Sequence, residues 1–501
     1  MSRISGVFIQ SLLFLIILYA FSFAGWTEPV RIGIPGGYQY PQILAAGDTL
    51  HVVGTLLPGG DKVVYLRSDD SGESWTDGQV LSDTINSTNA MFVRIVRYEQ
   101  NLIVFWRSIL NTGPRPWNVG YSLSHDNGES WTEPLYIINP GWDHILYFSA
   151  SSSGPAVNVI ASRRVSPDLI FYNIRSTDFG QNWLQPVELF RAAQSSMTDQ
   201  IEFEGLVHYV WAGRFVWEGP WETYYIRSID GGISWSESVA LSEIDDYGSY
   251  HPSISVNELG YVGLSWLDFK YSPYWFTGDI LTRQSFNFGE EWTPEVQITQ
   301  IHQSTLSDIV FSGDTVCVIW QDERTQNGRY SIYYSESTDS GQSWTPEIRL
   351  DNNVEESRNP GLAISSGMRY AIWADEACDP DTDICGGIYF SRYDTQVHAE
   401  EFDDNAWLPE NYSLIIYPNP FNSEIIISLN MPKGGEADIS IYDLNGRLVK
   451  TLLKGGIIEK GWHKFTWDAT EASGKAVSSG LYFAVASTPR GKISKALTLI
   501  R

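Results

Sequence analysis

Ser68-Asp69-Asp70-Ser71-Gly72-Glu73-Ser74-Trp75 decides the fold, because its skeleton, Ser-x-Asp-x-Gly-x-x-Trp, returns five more times along the chain. The copies are Ser124, Asp126, Gly128, Trp131; Ser176, Asp178, Gly180, Trp183; Ser228, Asp230, Gly232, Trp235; Ser285, Asn287, Gly289, Trp292; and Ser337, Asp339, Gly341, Trp344. Their tryptophans stand 56, 52, 52, 57 and 52 residues apart. Self-similarity at a period near fifty means blades or a solenoid. The acidic residue can accept backbone N–H groups inside a tight turn, and the glycine supplies a positive φ. Asn287 keeps the hydrogen-bonding logic in the fifth copy.

Each turn is flanked by β-rich runs. Tyr224-Tyr225-Ile226-Arg227 and Ile332-Tyr333-Tyr334-Ser335 precede two of them, and Pro294-Glu295-Val296-Gln297-Ile298 follows another. Upstream lie pairs such as Ile254-Ser255-Val256 and Val262-Gly263-Leu264-Ser265-Trp266, joined by a turn at Asn257-Glu258-Leu259-Gly260. Four strands per repeat is the content of a propeller blade. The turn then joins a blade's third and fourth strands, and its Trp packs between blades.

Six turns suggest six blades, but the strands count to seven. After the sixth turn come Leu362-Ala363-Ile364, Tyr370-Ala371-Ile372-Trp373 and Ile388-Tyr389-Phe390-Ser391, with no fourth strand. Trp26-Thr27-Glu28-Pro29-Val30-Arg31-Ile32 repeats the run at Trp131-Thr132-Glu133-Pro134. The expectation is a seven-bladed ring over residues 25–393, closed by its N-terminal strand; six blades is the alternative. Such closure removes exposed edges.

The repeats resemble the Asp-box, or BNR-repeat, sialidase-like β-propeller family, where the box is a folding element on the side away from the active site. A sialidase-like activity would need three arginines for the sugar carboxylate, a Tyr nucleophile paired to a Glu, and an Asp acid/base. One arginine belongs in a Phe/Tyr-Arg-Ile-Pro motif on the first strand. Here Tyr38-Gln39-Tyr40-Pro41 puts Gln39 in its place, and Arg31-Ile32-Gly33-Ile34-Pro35 has the wrong spacing. No tyrosine is assignable as nucleophile.

Chemistry is expected in loops after the second strand of each blade, which emerge at the central mouth. Several follow Trp-x-Asp: Trp266-Leu267-Asp268, Trp320-Gln321-Asp322-Glu323-Arg324 and Trp373-Ala374-Asp375-Glu376. Asp268, Asp322, Asp375 and Glu376 are the acid/base candidates, with Arg324 beside them. Arg107, Arg214, Arg324 and Arg358 can converge through ring symmetry. Two aromatic loops, with Trp217 and Trp221 in one and Tyr274 and Trp275 in the other, offer faces for sugar rings or packing against the propeller. Asp379, Asp381 and Asp383 alternate between Cys378 and Cys385; such spacing suits calcium, but the full twelve-residue loop and its closing Glu are absent, which favours a solvated acidic loop.

The remaining bounds concern location and partners. Residues 1–24 read as a signal peptide: Arg3, an apolar run from Val7 to Phe21, then Ser22-Phe23-Ala24 before cleavage. No later segment approaches membrane-spanning length. The net charge of −27 argues against nucleic acid. Three cysteines exclude a disulfide framework; Cys378 and Cys385 can bridge, and Cys317 reads as a buried thiol. Residues 394–413 form an acidic linker. Residues 411–501 then carry 11 Lys+Arg against 7 Asp+Glu. Alternation there predicts about seven short strands, a small immunoglobulin-like sandwich over 414–501. Tyr417-Pro418-Asn419-Pro420-Phe421-Asn422, Ile439-Ser440-Ile441-Tyr442-Asp443-Leu444-Asn445-Gly446-Arg447 and Ser479-Gly480-Leu481-Tyr482-Phe483 closely resemble the type A C-terminal sorting domain of the type IX secretion system. That resemblance implies recognition by outer-membrane secretion machinery. The expected function is a secreted or cell-surface propeller that binds extracellular glycan or protein at its mouth, with no required cofactor. The alternative is an exo-acting, sialidase-like glycoside hydrolase.

Overall fold

The computed structural model describes residues 25–57, 62–82, 87–110, 117–137, 145–272, 277–300, 302–324, 328–351, 355–378, 385–394, 413–417, 425–431, 434–443, 447–459, 461–471, 473–488 and 491–499. The signal segment and most of the proposed linker therefore lie outside the described residues. The described chain is all β. Seven antiparallel sheets form the N-terminal part, six of four strands and a seventh that borrows two short strands from the N-terminus. This is the expected seven-bladed propeller.

The innermost strands are Gly37–Ala46, Ser87–Tyr98, Ile145–Ser153, Gln194–Phe203, Ser249–Val256, Ser304–Ser312 and Ser357–Ser365. Each packs on its neighbours in chain order, and the last packs on the first, so the ring is closed. Apolar residues of the second and third strands fill the space between blades. Trp106, Trp211, Trp266, Trp320 and Trp373, all on second strands, are fully buried there.

Closure is made by hydrogen bonds. Gly25–Trp26 and Val30–Ile32 both pair with Cys385–Asp394, the third strand of blade seven. The Thr27 amide donates to the Arg392 carbonyl at 2.9 Å, as the Thr76 amide does to Arg67 and the Thr132 amide to Leu123 in complete blades. The N-terminal segment thus supplies the missing fourth strand, in the same register as its counterparts.

The six turns act as clamps between blades. In the first, the Ser68 hydroxyl donates to Asp70 (2.7 Å) and accepts from the Gly72 amide (2.8 Å), while the Ser74 amide donates to Asp70 (2.8 Å). The same bonds recur in the second turn among Ser124, Asp126, Gly128 and Ser130. Those donors hold the Asp126 carboxyl down at about 2, the Ser130 hydroxyl contributing most. The turn tryptophans lie edge to face against the preceding blade: Trp131 on Tyr65 at 4.8 Å, Trp292 on Tyr225 at 5.2 Å, and Trp75 on Phe390 at 5.1 Å. Glycine is required at Gly128, where φ is +86° and a Cβ would stand 1.8 Å from the Tyr65 hydroxyl.

The C-terminal part has two sheets. One orders Ser413–Tyr417, Ile425–Met431 and Gly461–Trp467; the other orders Leu448–Ile458, Gly435–Asp443, Gly480–Thr488 and Gly491–Leu499. Ile425, Ile427, Ile439, Ile441, Trp467 and Ala484 share one core. Among the described residues, no helix is long and apolar enough to cross a membrane.

Candidate functional site: the mouth of the ring

Hairpins between first and second strands share one end of the propeller with the repeated Ser-x-Asp-x-Gly-x-x-Trp turns, as the Ser71 amide bound to the Asp48 carbonyl shows. The opposite end gathers the ends of second strands and the starts of innermost strands. Between the ends runs a channel of about 620 Å³ lined by all seven innermost strands. Asp199 and Asp308 lie along it. The Ile254 amide donates to Asp199 (3.0 Å), and the Leu362 amide (2.8 Å) and Ser253 hydroxyl (2.7 Å) donate to Asp308. These bonds stitch neighbouring innermost strands together. Burial raises both carboxyls, Asp308 to about 6.

The Trp-x-Asp acids do not project into the mouth as free groups. Asp268, Asp322 and Asp375 stand opposite Ser249, Ser304 and Ser357 in the ladders of blades five, six and seven. Each accepts that serine's hydroxyl, at 2.9, 3.0 and 2.7 Å. The Trp266 and Trp373 indoles donate to Asp268 and Asp375 as well (3.0 and 3.2 Å). The Lys270 and Arg324 amides take the second oxygens of Asp268 and Asp322. At 2, 0 and 2 % exposure, these carboxylates are caps that tie a second strand to its innermost strand. Glu376 is exposed just beyond Asp375.

The four arginines divide into two classes. Arg324 is held by Asp322 and Glu347 and lies over the Tyr333 ring at 3.9 Å. Arg358 pairs with Glu356 at 2.5 Å. Arg107 and Arg214 have no carboxylate partner among the described residues. Arg214 lies 5.9 Å from the rings of both Trp217 and Trp221, and Trp221 stacks on Tyr250 at 5.1 Å. Trp217 is 45 % exposed, and Phe215, Val216, Tyr247 and Tyr271 are exposed in the same blades. Tyr274 and Trp275 lie outside the described residues.

Asp379, Asp381 and Asp383 also lie outside the described residues. Cys385 is disulfide-bonded and faces Cys378 in the ladder, and Cys317 is free and buried. Among the described residues, no group of three or more His, Cys, Asp or Glu is placed to hold a metal ion.

Two features of the mouth escaped sequence reasoning. Every innermost strand breaks register near this end, and at Tyr40, Phe92, His251, Leu306 and Asn359 the break carries a positive φ. Bulges of this kind re-aim side chains, and no local pattern marks them in advance. The second is His302, whose Nδ1 lies 2.6 Å from the buried Asp279 carboxylate while its side chain stays 36 % exposed. The Asp279 acid sits 23 residues upstream, at the start of a strand, so only pairing brings the two together.

Residues 415–499 match the family described as the secretion system C-terminal sorting domain. That domain marks the chain as secreted or displayed at the cell surface. No curated protein matches the chain. Similar solved structures include a protein of unknown function from Dyadobacter fermentans (12 % identity, TM-score 0.47, 74 % of this chain and 99 % of that one). Others are an ulvan lyase of polysaccharide lyase family 25 (13 %, 0.49, 72 % and 95 %) and the NanB sialidase of Streptococcus pneumoniae (12 %, 0.42, 74 % and 70 %).

Proposed function

We propose, from the premise that this chain is a seven-bladed β-propeller carrying a secretion system C-terminal sorting domain, that it binds extracellular glycan at the mouth of its ring. The observation that carries this reading is the platform of Arg214, Trp217, Trp221 and Tyr250. Its aromatic faces are partly open, and its guanidinium has no carboxylate partner among the described residues. Aromatic faces stack on the C–H faces of sugar rings, and a guanidinium donates to their oxygens. In this reading residues 1–24 direct export, residues 25–393 are the binding unit, and residues 394–413 tether it to a sorting domain at 414–501 that outer-membrane secretion machinery recognises.

The state of three of the four predicted acids, Glu376 being the exposed exception, supports binding over hydrolysis. A general acid or base needs a lone pair or proton facing substrate, whereas Asp268, Asp322 and Asp375 are buried and bonded within the fold. The second reading, exo-acting glycoside hydrolysis, draws on Asp279–His302, where a fixed Nδ1 leaves Nε2 for a proton transfer. A glycan array probed with the secreted chain and with Trp217→Ala tests the first reading. Retained signals that fall at least tenfold in the variant are expected. A fluorogenic glycoside screen giving turnover that vanishes in His302→Gln would move the assignment to an enzyme.

A further inference from the structure

We propose that Arg107 anchors a second, carboxylate-binding subsite at the mouth of blades one to three, and that this subsite takes the acid group of a uronic-acid-type sugar. The guanidinium stacks over Trp117 at 4.1 Å and Phe92 at 4.6 Å. Phe92 in turn lies 5.1 Å from Tyr40 and 6.0 Å from Tyr147, so aromatic rings from three blades wall one spot. The positive φ values of Tyr40 (49°) and Phe92 (55°) belong to the bulges that aim two of those rings there.

The donors of Arg107 are largely unused. One Nη donates to the Leu146 carbonyl and the other contacts the Met91 sulfur at 2.9 Å, while the buried Nε has no partner. A thioether is a weak acceptor, and a guanidinium has five N–H groups in a fork that fits a carboxylate. Burial lowers the group to about 10, which still leaves it a cation at neutral pH. A partly buried charge without a counter-ion is costly, and an anionic ligand removes that cost.

Ser108, not Arg107, stands where blades five to seven carry Asp268, Asp322 and Asp375, two residues past the second-strand Trp. Arg107 is the neighbouring residue, opposite Met91 in the ladder, and has no carboxylate partner among the described residues. Guanidinium plus flat aromatic walls matches a pyranose bearing a carboxylate: the fork takes the acid and the rings take the sugar face.

This subsite uses none of the Arg214 platform, so the two stand or fall separately. The test is titration of the full secreted chain, followed by tryptophan fluorescence, with tetragalacturonate and with its neutral counterpart galactotetraose. The wild type is expected to bind the acidic sugar at least tenfold more tightly. Arg107→Gln should abolish that preference, and Arg107→Lys, which keeps bulk and charge but loses the fork, should weaken it several-fold. Near-UV circular dichroism identifies a variant that has not folded, in which case Arg107→Lys decides. Equal binding of the two sugars by wild type, no binding of the acidic one, or an undiminished preference in Arg107→Lys would overturn the subsite. So would displacement of tetragalacturonate by sulfate as effectively as by glucuronate. Trp217→Ala should weaken both sugars alike and leave their ratio unchanged; if it weakens neither, the platform reading fails while the subsite survives.

Discussion

Trp26 and Tyr334 meet edge to face with ring centroids 4.9 Å apart, the first joining blade seven and the second belonging to blade six. The contact is the counterpart of Trp131 on Tyr65 and of Trp292 on Tyr225. Blade seven lacks the turn that supplies this Trp elsewhere, and the N-terminus provides it. Trp26→Ala should therefore cost about 3 kcal/mol, typical of truncating a large packed aromatic. Calorimetry should show a fall in Tm of several degrees, with ligand binding at the mouth retained.

Gly128→Ala should be severe, because it combines a left-handed backbone with a Cβ 1.8 Å from the Tyr65 hydroxyl. A loss of 3 kcal/mol or more, about the level of a strained core clash, is expected in urea unfolding. Gly205→Ala is the control. Its φ is +84° but nothing lies within 4 Å, so only the backbone term of about 1 kcal/mol should appear.

Asp268→Ala should behave as a stability variant. It leaves the Ser249 hydroxyl, the Trp266 indole and the Lys270 amide without their acceptor. Orphaning buried donors costs about 1–3 kcal/mol each at most, so a midpoint shift of about 2–4 kcal/mol is expected. Glycan affinity per folded molecule should be unchanged. A variant with native stability and abolished function would instead make Asp268 a chemical residue.

Two sets of buried groups give opposite pH slopes. Burial pushes His51 and His251 down to about 4 and His208 to about 3. The unfolded chain binds protons there first, so stability is full above about 6.5 and is lost as pH falls toward 4. Burial pushes Glu222 up to about 7, Ser242 opposing it. Its stabilisation is full below the ordinary carboxyl range near 4 and is lost as pH rises through about 7. Glu222→Gln should remove the alkaline-side loss, about 2–3 kcal/mol between pH 4 and 8, leaving stability to rise more steeply with pH. Urea midpoints across that range in both proteins check the sign.

The blades were legible because their marks are local. A turn such as Ser68 to Trp75 carries its own acceptor, glycine and packing ring within eight residues, and Trp26-Thr27 is recognisable as the far half of the same unit. The mouth was legible only as a list of candidates. Whether Asp322 faces substrate or a serine depends on its ladder partner, Ser304, which lies 18 residues away. Whether Arg107 or Arg324 is committed to a carboxylate depends on Glu347 reaching Arg324 and no acid among the described residues reaching Arg107. The bulges at Tyr40 and Phe92 are breaks in the pairing with the second strand, so they depend on the ladder and not on the segment alone.

Closure by residues 25–32 also sets an order of events. The strand synthesised first has no partner until residues 385–394, nearly the last of the propeller, are free to pair with it. Joining ends separated by that much chain costs about 3 kcal/mol more loop entropy than a contact across about ten residues, and pairings of such high sequence separation form slowly. The ring is therefore a latch that the last strand of the propeller fastens. Until residues 385–394 are in place the ring stays unlocked, and the strand that will seal it waits at the front of the chain.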